Sequence, residues 1–385
     1  MRMLWLLGPS GVGKSATGFE VFRRLAGDGI AAAFLDTDQL SLIHPGPAQG
    51  THAVRARALA ALWPVYRRAG VRWLVVAGYV DGAADLEVYG AALGAAGGAV
   101  VRVWLRAGQQ ELRRRFLGRG WLPGQLDAAL EQARRLEREV GSELEGSELV
   151  AGTDGLSVGQ AAALVRRLAG LPTGPAGTHE PPPSWAPSPA VTGDWRAAAG
   201  VPVLWLYGPR GVGASTAGFE AFRLLARSAG PAAYLDLRQL GFHRPAPHAD
   251  DGAPVEDRPL ALEALRALWP LHLRHGARRL VVAAGSHPPA PGLLPGAAMT
   301  VRHLRASSGT LAARLEARRR GQGPVVPGDD LAGRTAEQLR VLAARPAPPT
   351  PAGVLTLDTD GRTPRQVAAL LVSALDGQLP PGPSA

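Results

Sequence analysis

The sequence predicts an α/β fold in two tandem units, each a parallel sheet sandwiched by helices. Three observations predict it. Short, near-continuous apolar runs alternate with longer amphipathic stretches, the pattern of strands buried on both faces. A glycine-rich loop sits between the first apolar run and the first helical stretch. The chain also repeats itself at a spacing of about 200 residues. Leu4-Trp-Leu-Leu-Gly-Pro-Ser-Gly-Val-Gly-Lys-Ser15 returns as Leu204-Trp-Leu-Tyr-Gly-Pro-Arg-Gly-Val-Gly-Ala-Ser215, and Phe34-Leu-Asp-Thr-Asp38 returns as Tyr234-Leu-Asp-Leu-Arg238. Leu62-Trp-Pro64 matches Leu268-Trp-Pro270, Leu74–Ala77 matches Leu280–Ala283, and Thr153-Asp-Gly155 matches Thr359-Asp-Gly361. Matches spread over whole domains indicate duplication rather than a short-period solenoid.

In the first unit, residues 3–7 form an apolar strand that runs into the loop 8–15. A helix follows over 14–26, with Phe19, Phe22 and Leu25 on one face. Residues 31–36 are a second strand, ending in acid. Residues 52–69 read as a helix interrupted or kinked at Pro64. Residues 73–77 and 100–105 are buried-type strands, and 108–118 and 124–140 are helices rich in Arg and Glu. A short strand at 148–151 and a helix at 157–169 close the unit. Ligands of such sheets bind beyond the carboxyl ends of the strands. The loop, Asp36, Asp38 and the segment Gly78–Asp81 all follow strands, so they are expected on one edge.

The expected boundaries are 1–171 for the first unit, 172–200 for a Pro-rich linker, 201–376 for the second unit and 377–385 for a disordered tail. Glu180–Pro189 reads E-P-P-P-S-W-A-P-S-P, a density of proline that blocks both helix and sheet.

Composition removes several function classes. No apolar run approaches the roughly 18 residues of a membrane span. No cysteine is present, which excludes disulfides and thiolate metal sites. The first apolar run turns straight into the loop without a signal-peptide cleavage site, so the expected location is cytoplasmic. The net charge of +10 invites a nucleic-acid reading. Yet no basic block reaches five residues and aromatics are only 5%, so solvated arginines on helix faces are the better account.

Lys14 is the only lysine among 42 Lys plus Arg. It completes Gly8-Pro-Ser-Gly-Val-Gly-Lys-Ser15, the phosphate-binding pattern G-x-x-x-x-G-K-[ST]. Everywhere else the chain meets its need for a cation with arginine. Here it keeps a compact ammonium, which suits a point contact with the outer phosphates of a nucleotide. The backbone N–H groups of the loop and the N-terminus of the next helix cradle a phosphate. The expected nucleotide-contacting residues are Gly8-Pro9-Ser10-Gly11-Val12-Gly13-Lys14-Ser15-Ala16. Ser15 is expected to ligate Mg²⁺. ATP is expected over GTP, because the guanine-reading N-K-x-D motif needs a second lysine.

Asp36 and Asp38 lie two residues apart at a strand end, so both carboxylates can face one cleft. One is a candidate Mg²⁺ ligand and the other a candidate base for a hydroxyl attacking the γ-phosphate. Asp81 is the rival metal ligand. Arg115 and Arg119 share a helix face and could fold over the triphosphate; a solvated face paired with Glu111 is the plain alternative.

These residues resemble the nucleoside-monophosphate-kinase-like P-loop kinases, which include shikimate, gluconate and adenylylsulfate kinases and zeta-toxin-like proteins. The resemblance rests on the loop, on Phe34-Leu-Asp-Thr-Asp38, on Leu105-Arg-Ala with Arg115 and Arg119, and on Thr153-Asp-Gly-Leu-Ser157. It implies tandem P-loop NTPase domains, each a five-stranded parallel sheet of order 2-3-1-4-5 with a lid after the fourth strand. It implies that Asp36 lies near Mg²⁺, Asp38 near the acceptor hydroxyl, Arg115 and Arg119 in the lid, and Thr153 and Asp154 near the adenine. The implied activity is ATP-dependent phosphoryl transfer to a hydroxyl of a small metabolite or nucleotide. The alternative is a nucleotide-responsive regulatory or scaffold protein with little transfer. The segment Gln39-Leu-Ser-Leu-Ile-His-Pro-Gly-Pro47, echoed at Gln239–Pro247, matches no substrate signature of these enzymes.

The second unit is altered where chemistry would occur. Lys14 becomes Ala214, Asp38 becomes Arg238, and Asp81 has no counterpart in Gly285-Ser-His-Pro-Pro. Arg314 and Arg318 stand where the lid arginines are, and Ser215 keeps the loop hydroxyl. This half is expected to be pseudokinase-like. Contact with the first half, a contribution to its substrate pocket, and ligand binding without turnover all remain open for it.

Overall fold

The computed structural model describes residues 1–48, 50–95, 97–118, 123–141, 149–173, 198–228, 230–244, 258–322, 331 and 334–376. Most of the expected linker, the tail 377–385 and Arg119 lie outside them. The chain divides into two units by its contacts. Unit 1 takes Met1–Leu40, Thr51–Pro187 and Gly241–Leu260; unit 2 takes Ser41–Gly50, Ser188–Leu240 and Ala261–Ala385. The grouping differs from a simple division at the linker in two short segments, 41–50 and 241–260, which contain all but the first two residues of each copy of the echoed motif that matched no substrate signature.

Unit 1 holds a sheet of strands β1 (Arg2–Leu7), β2 (Ala32–Asp36), β4 (Trp73–Ala77), β5 (Ala99–Arg106) and β6 (Leu149–Gly152), ordered β6-β5-β1-β4-β2. All neighbours in this run are parallel. Counted along these five strands the order is 2-3-1-4-5, as expected. The sheet gains one antiparallel edge strand, β9 (His243–Arg244), through Ala32↔Arg244 and Ala33↔His243. The Phe34 amide donates to the Phe242 carbonyl at 3.0 Å, and the Phe242 ring meets Phe19 edge-on. The echoed segment thus covers the open edge of a sheet, a place where unpaired backbone groups need a partner.

Unit 2 repeats the arrangement with β7 (Pro202–Tyr207), β8 (Ala232–Asp236), β10 (Leu280–Ala283), β11 (Ala298–Arg305) and β12 (Leu355–Asp358), ordered β12-β11-β7-β10-β8. Its antiparallel edge strand is β3 (Ile43–His44), with the Tyr234 amide donating to the Leu42 carbonyl at 2.9 Å.

The strands are buried because both faces of each sheet are covered. Met3, Leu4, Leu6 and Leu7 of β1 are fully buried, as are Leu204, Leu206 and Tyr207 of β7. In unit 1 the helix α1 (Lys14–Gly27) packs Val21, Phe22 and Leu25 into this core. At Gly8 the chain passes so close to β5 that a Cβ would sit 2.3 Å from the Leu105 carbonyl oxygen, and φ there is +133°. Only glycine fits that position. Gly208 makes the same approach to Leu304, at 2.4 Å. Among the described residues no helix is long and apolar enough to cross a membrane.

One element of unit 1 departs from expectation. The sequence reading leaves residues 82–97 without structure, yet Ala83–Ala95 is a helix, α3. Its run A-A-D-L-E-V-Y-G-A-A-L-G-A carries two glycines and no polar–apolar stripe, which hid it. Packing holds it: Tyr89 and Leu93 are buried, and the Tyr89 ring lies 4.6 Å from the Trp5 ring. In unit 2 the corresponding stretch, 284–297, forms turns and no helix.

Candidate functional site

The phosphate-binding loop of unit 1 connects β1 to α1, with Gly13 in the left-handed region as the residue before the helix. The Lys14 ammonium reaches back over the loop and donates to the Gly8 carbonyl at 2.8 Å and the Pro9 carbonyl at 2.9 Å. It is therefore held at the loop mouth, where phosphate oxygens can exchange for the two carbonyls. Ser15 Oγ donates to Asp36 Oδ2 at 2.6 Å. Asp36 Oδ1 accepts from the Asp38 amide at 3.0 Å. Burial, and then the neighbouring Asp38 charge, push the Asp36 carboxyl above its ordinary range; the Ser15 hydrogen bond and Lys14 oppose this.

A hydroxyl and a carboxylate in contact, at the edge of a phosphate-binding loop, are the oxygen donors that a hard divalent cation takes. Ser15 and Asp36 therefore fit Mg²⁺. The raised Asp36 carboxyl fits it too, because a buried acid lacking a full countercharge gains from a nearby cation.

Asp38 points outward from the short 3₁₀ turn after β2, with its side chain 59% exposed. Its Oδ1 lies 2.7 Å from Arg55 Nη2, on the helix α2 (Thr51–Arg68). Arg55 is buried, and its guanidinium stands 5.6 Å from the centre of the Tyr79 ring. Sequence reasoning missed Arg55, since one arginine in so Arg-rich a chain carries no local signal. Asp81, the rival metal ligand, turns to other partners: Oδ2 lies 3.1 Å from His52 Nε2, and Oδ1 accepts from the Tyr79 hydroxyl at 3.0 Å.

Arg115 sits on the helix α4 (Gln109–Gly118) and is drawn inward rather than over the loop mouth. Nη1 donates to the Val12 carbonyl at 2.7 Å and to Thr153 Oγ1 at 3.2 Å, and Nη2 donates to the Thr153 carbonyl at 2.7 Å. Its Nε donates to Glu111 at 2.7 Å. Hydrogen bonds from Arg114 and Arg115 hold the Glu111 carboxyl down at about 2, so the pair stays charged at any working pH. Arg115 therefore ties the phosphate loop to the segment before the last helix. Thr153 is buried within this tie, and Asp154 Oδ1 accepts from the Gly108 amide at 2.8 Å. A cavity of about 690 Å³ opens beside these residues, lined by Pro9, Arg106, Gly108, Gln109 and Asp154 among others.

Unit 2 keeps the tie, Ser215 and Asp236, and loses the counterparts of Lys14 and Asp38. Arg314 Nη1 donates to the Val212 carbonyl at 3.0 Å and to Thr359 Oγ1 at 2.9 Å, and Nη2 donates to the Thr359 carbonyl at 2.7 Å. At the lysine position Ala214 is buried. Tyr234 replaces Phe34, and its hydroxyl donates to the Ser215 carbonyl at 3.1 Å and approaches Asp236 Oδ2 at 3.4 Å. Burial and the Asp236 charge push the Tyr234 phenol well above its usual range, so it remains a donor. A neutral phenol occupies the neighbourhood that unit 1 leaves to a hydroxyl–carboxylate pair.

Solved structures similar to this chain include kinases and a resistance protein. The tunicamycin resistance protein of Deinococcus radiodurans is 22% identical over 46% of this chain and 99% of its own, with a TM-score of 0.35. The adenylylsulfate (APS) kinase of Mycobacterium tuberculosis, solved with AMPPNP and APS, is 24% identical over 43% of this chain and 96% of its own, with a TM-score of 0.31. The shikimate kinase of Acinetobacter baumannii, solved with shikimate, is 16% identical over 44% and 92%, with a TM-score of 0.30. No protein-family model and no curated protein matches the chain.

Proposed function

We propose that unit 1 is an ATP-dependent phosphotransferase acting on a hydroxyl of a small molecule, and that unit 2 is a degenerate duplicate without phosphotransfer. The observation that carries this is the clustering of Lys14, the Ser15–Asp36 pair and Asp38 at one strand edge of unit 1. Only the middle pair has counterparts in unit 2.

In this reading the loop amides and Lys14 hold the outer phosphates of ATP, and the cavity beside Pro9 and Asp154 receives the nucleoside. Mg²⁺, held by Ser15 and Asp36, would neutralise charge on the β- and γ-oxygens. Asp38 accepts the proton of the acceptor hydroxyl. The hydroxyl oxygen bonds to the γ-phosphorus as the bond to the β–γ bridging oxygen breaks, leaving ADP and a phosphate ester. Arg55 orients Asp38 for this step. Arg115 is a positioning residue that sets the loop carbonyls, because Arg314 makes the same contacts in a unit lacking the lysine.

The test is transfer from γ-labelled ATP into a pool of hydroxylated metabolites by the intact protein and by Lys14→Ala. Lys14-dependent labelling of a product supports the reading. Tight ATP binding without transfer to any acceptor would favour a regulatory nucleotide sensor.

A further inference from the structure

We infer that the function left to the degenerate second repeat is to complete unit 1. Its segment 241–244 supplies the edge strand of the sheet that carries the nucleotide site, and Phe242 is a positioning residue for the acid-bearing strand β2. The positioning role rests on the phosphotransferase reading above; the strand exchange does not.

The echoed motif carries the inference. Its two copies are residues 39–47 and 239–247. Residues 41–50 belong to unit 2, and the chain resumes unit 1 at Thr51. Residues 241–260 belong to unit 1, and the chain resumes unit 2 at Ala261. The two pairings are equivalent. Ala33 opposes His243, and Ala233 opposes Ile43, the counterpart of His243. Each edge therefore takes from the other repeat the strand that its own repeat also encodes. A reciprocal exchange of equivalent elements is a domain swap, here between two repeats of one chain.

The two exchanged strands differ in what they bring. Phe242 is fully buried in the core of unit 1. Its ring lies 5.2 Å from that of Phe19 on α1 and 6.2 Å from that of Phe34 on β2. Phe19 and Phe34 meet each other edge-on at 5.5 Å, so three rings close one cluster. In unit 2 the equivalent place is taken by Leu42, packed against that core. There Phe219, the counterpart of Phe19, stays 38% exposed. The aromatic strand thus goes to the unit that keeps Lys14.

The ring cluster sits where the site needs support. Helix α1 opens with Lys14 and Ser15, and β2 closes with Asp36. The Ser15–Asp36 contact of 2.6 Å joins the two elements. Phe19 lies one helical turn beyond Ser15, and Phe34 shares a strand face with Asp36. The Phe19–Phe242–Phe34 cluster therefore sets the helix–strand spacing beside that contact. The Phe242 carbonyl also accepts from the Phe34 amide at 3.0 Å, on a strand that would otherwise be an open edge. Asp38 lies in the turn Thr37–Leu40, and the residue after this turn already belongs to unit 2. Both acids thus stand on a strand and turn that the second repeat helps to hold.

The chain has no cysteine, so introduced pairs report the exchange without background. The bond from the Phe34 amide to the Phe242 carbonyl makes Ala33 and His243 a non-hydrogen-bonded pair, close enough for a disulfide. The intact variant Ala33→Cys/His243→Cys is oxidised, cut at a protease site inserted after Pro187, and run denatured without reductant. The two pieces are expected to stay joined, and the uncut chain to run as a monomer. The reciprocal pair, Ala233→Cys/Ile43→Cys, should behave alike, whereas the unexchanged pair, Ala33→Cys/Ile43→Cys, should stay reduced. Pieces that separate in both exchanged variants, a cross-link in the unexchanged one, or a covalent dimer before the cut each overturn the exchange and leave the phosphotransferase reading standing. Calorimetry on the intact Phe242→Leu protein tests the positioning role, with the residue that Leu42 provides in unit 2. Its Kd for Mg²⁺–ATP should rise about 10-fold, the scale of disturbed support behind a metal ligand. Its Kd for ATP in EDTA should not change, which also shows that it folds. An unchanged Kd for Mg²⁺–ATP, or an equal rise in both, overturns the positioning role. No nucleotide binding by the unaltered protein defeats the phosphotransferase reading and the positioning role with it, and the cross-links still decide the exchange.

Discussion

At the end of the second strand, unit 1 carries Phe34, Asp36 and Asp38, whereas unit 2 carries Tyr234, Asp236 and Arg238. A short helical turn follows the strand in both places, 3₁₀ at Thr37–Leu40 and α at Leu237–Leu240. Asp36 and Asp236 each accept from the amide two residues on, at 3.0 Å. What changes is the set of groups that could meet a ligand. In unit 1 the Asp36 carboxylate takes the Ser15 hydroxyl, and Asp38 stands exposed beside Arg55. In unit 2 a phenol fills in against Asp236 and a cation replaces the acid. The comparison separates two kinds of constraint. Features held in both units, the Gly8/Gly208 approach and the Arg115/Arg314 tie, belong to the fold. Features held in one, such as Lys14 and Asp38, are those the proposed function assigns to chemistry.

The comparison breaks first at the lysine. Lys14→Ala is expected to lower kcat/KM for ATP by about 10³-fold or more, since it removes a charge aimed at the transferring phosphate. The converse change, Ala214→Lys, should restore no turnover, because Arg238 and Tyr234 still occupy the acid's surroundings. Turnover from unit 2 on that single change would mean that the lysine alone distinguishes the units.

Asp38→Asn comes next. A drop in kcat of about 10²-fold with little change in the KM for ATP is expected if it serves as general base. Steady-state kinetics on a phosphorylated acceptor decide it, and an unchanged kcat would remove the base role.

The shared tie gives a smaller effect of opposite character. Arg115→Lys and Arg314→Lys each lose the forked contact with a Val carbonyl and a Thr carbonyl, at about 2 kcal/mol in stability. The two losses should be alike, measured by denaturant unfolding of each variant. A large loss for Arg115 alone in activity, without loss of stability, would return that residue to a lid role.

The smallest effect is on pH. The Asp36 carboxyl is raised by burial and by Asp38, so the folded protein holds its proton to higher pH than the unfolded chain does. Its protonated form stabilises the fold at low pH, and that contribution fades as pH rises through the raised value. A cation at Ser15 and Asp36 competes with the same proton. Affinity for Mg²⁺–ATP should therefore fall as pH is lowered through that range, and Asp36→Asn should give weaker binding with a flat profile. A flat profile in the unaltered protein would place the cation elsewhere.

Much of the frame was legible because it rests on local signals. Apolar runs gave the parallel strands, and the G-x-x-x-x-G-K-S spacing gave the loop. The repeat showed which positions had changed. The illegible parts depend on contacts between distant residues. Helix α3 has no stripe, and only the packing of Tyr89 against Trp5 reveals why it is there. The edge strands Ile43–His44 and His243–Arg244 are two residues long and find their partners far along the chain. Arg55 and His52 belong to no motif, so nothing in the sequence marks them until the fold sets them beside Asp38 and Asp81. Arg115 was visible, but its inward direction was not, because spacing on a helix gives a face and not a partner.

The central claim is that one unit of this chain uses nucleotide and the other does not. Calorimetric titration of the intact protein with ATP and Mg²⁺ tests it most directly through the stoichiometry. The account predicts a single nucleotide per chain, abolished by Lys14→Ala and unaffected by Ser215→Ala. Two nucleotides per chain, or one that survives Lys14→Ala, would contradict it.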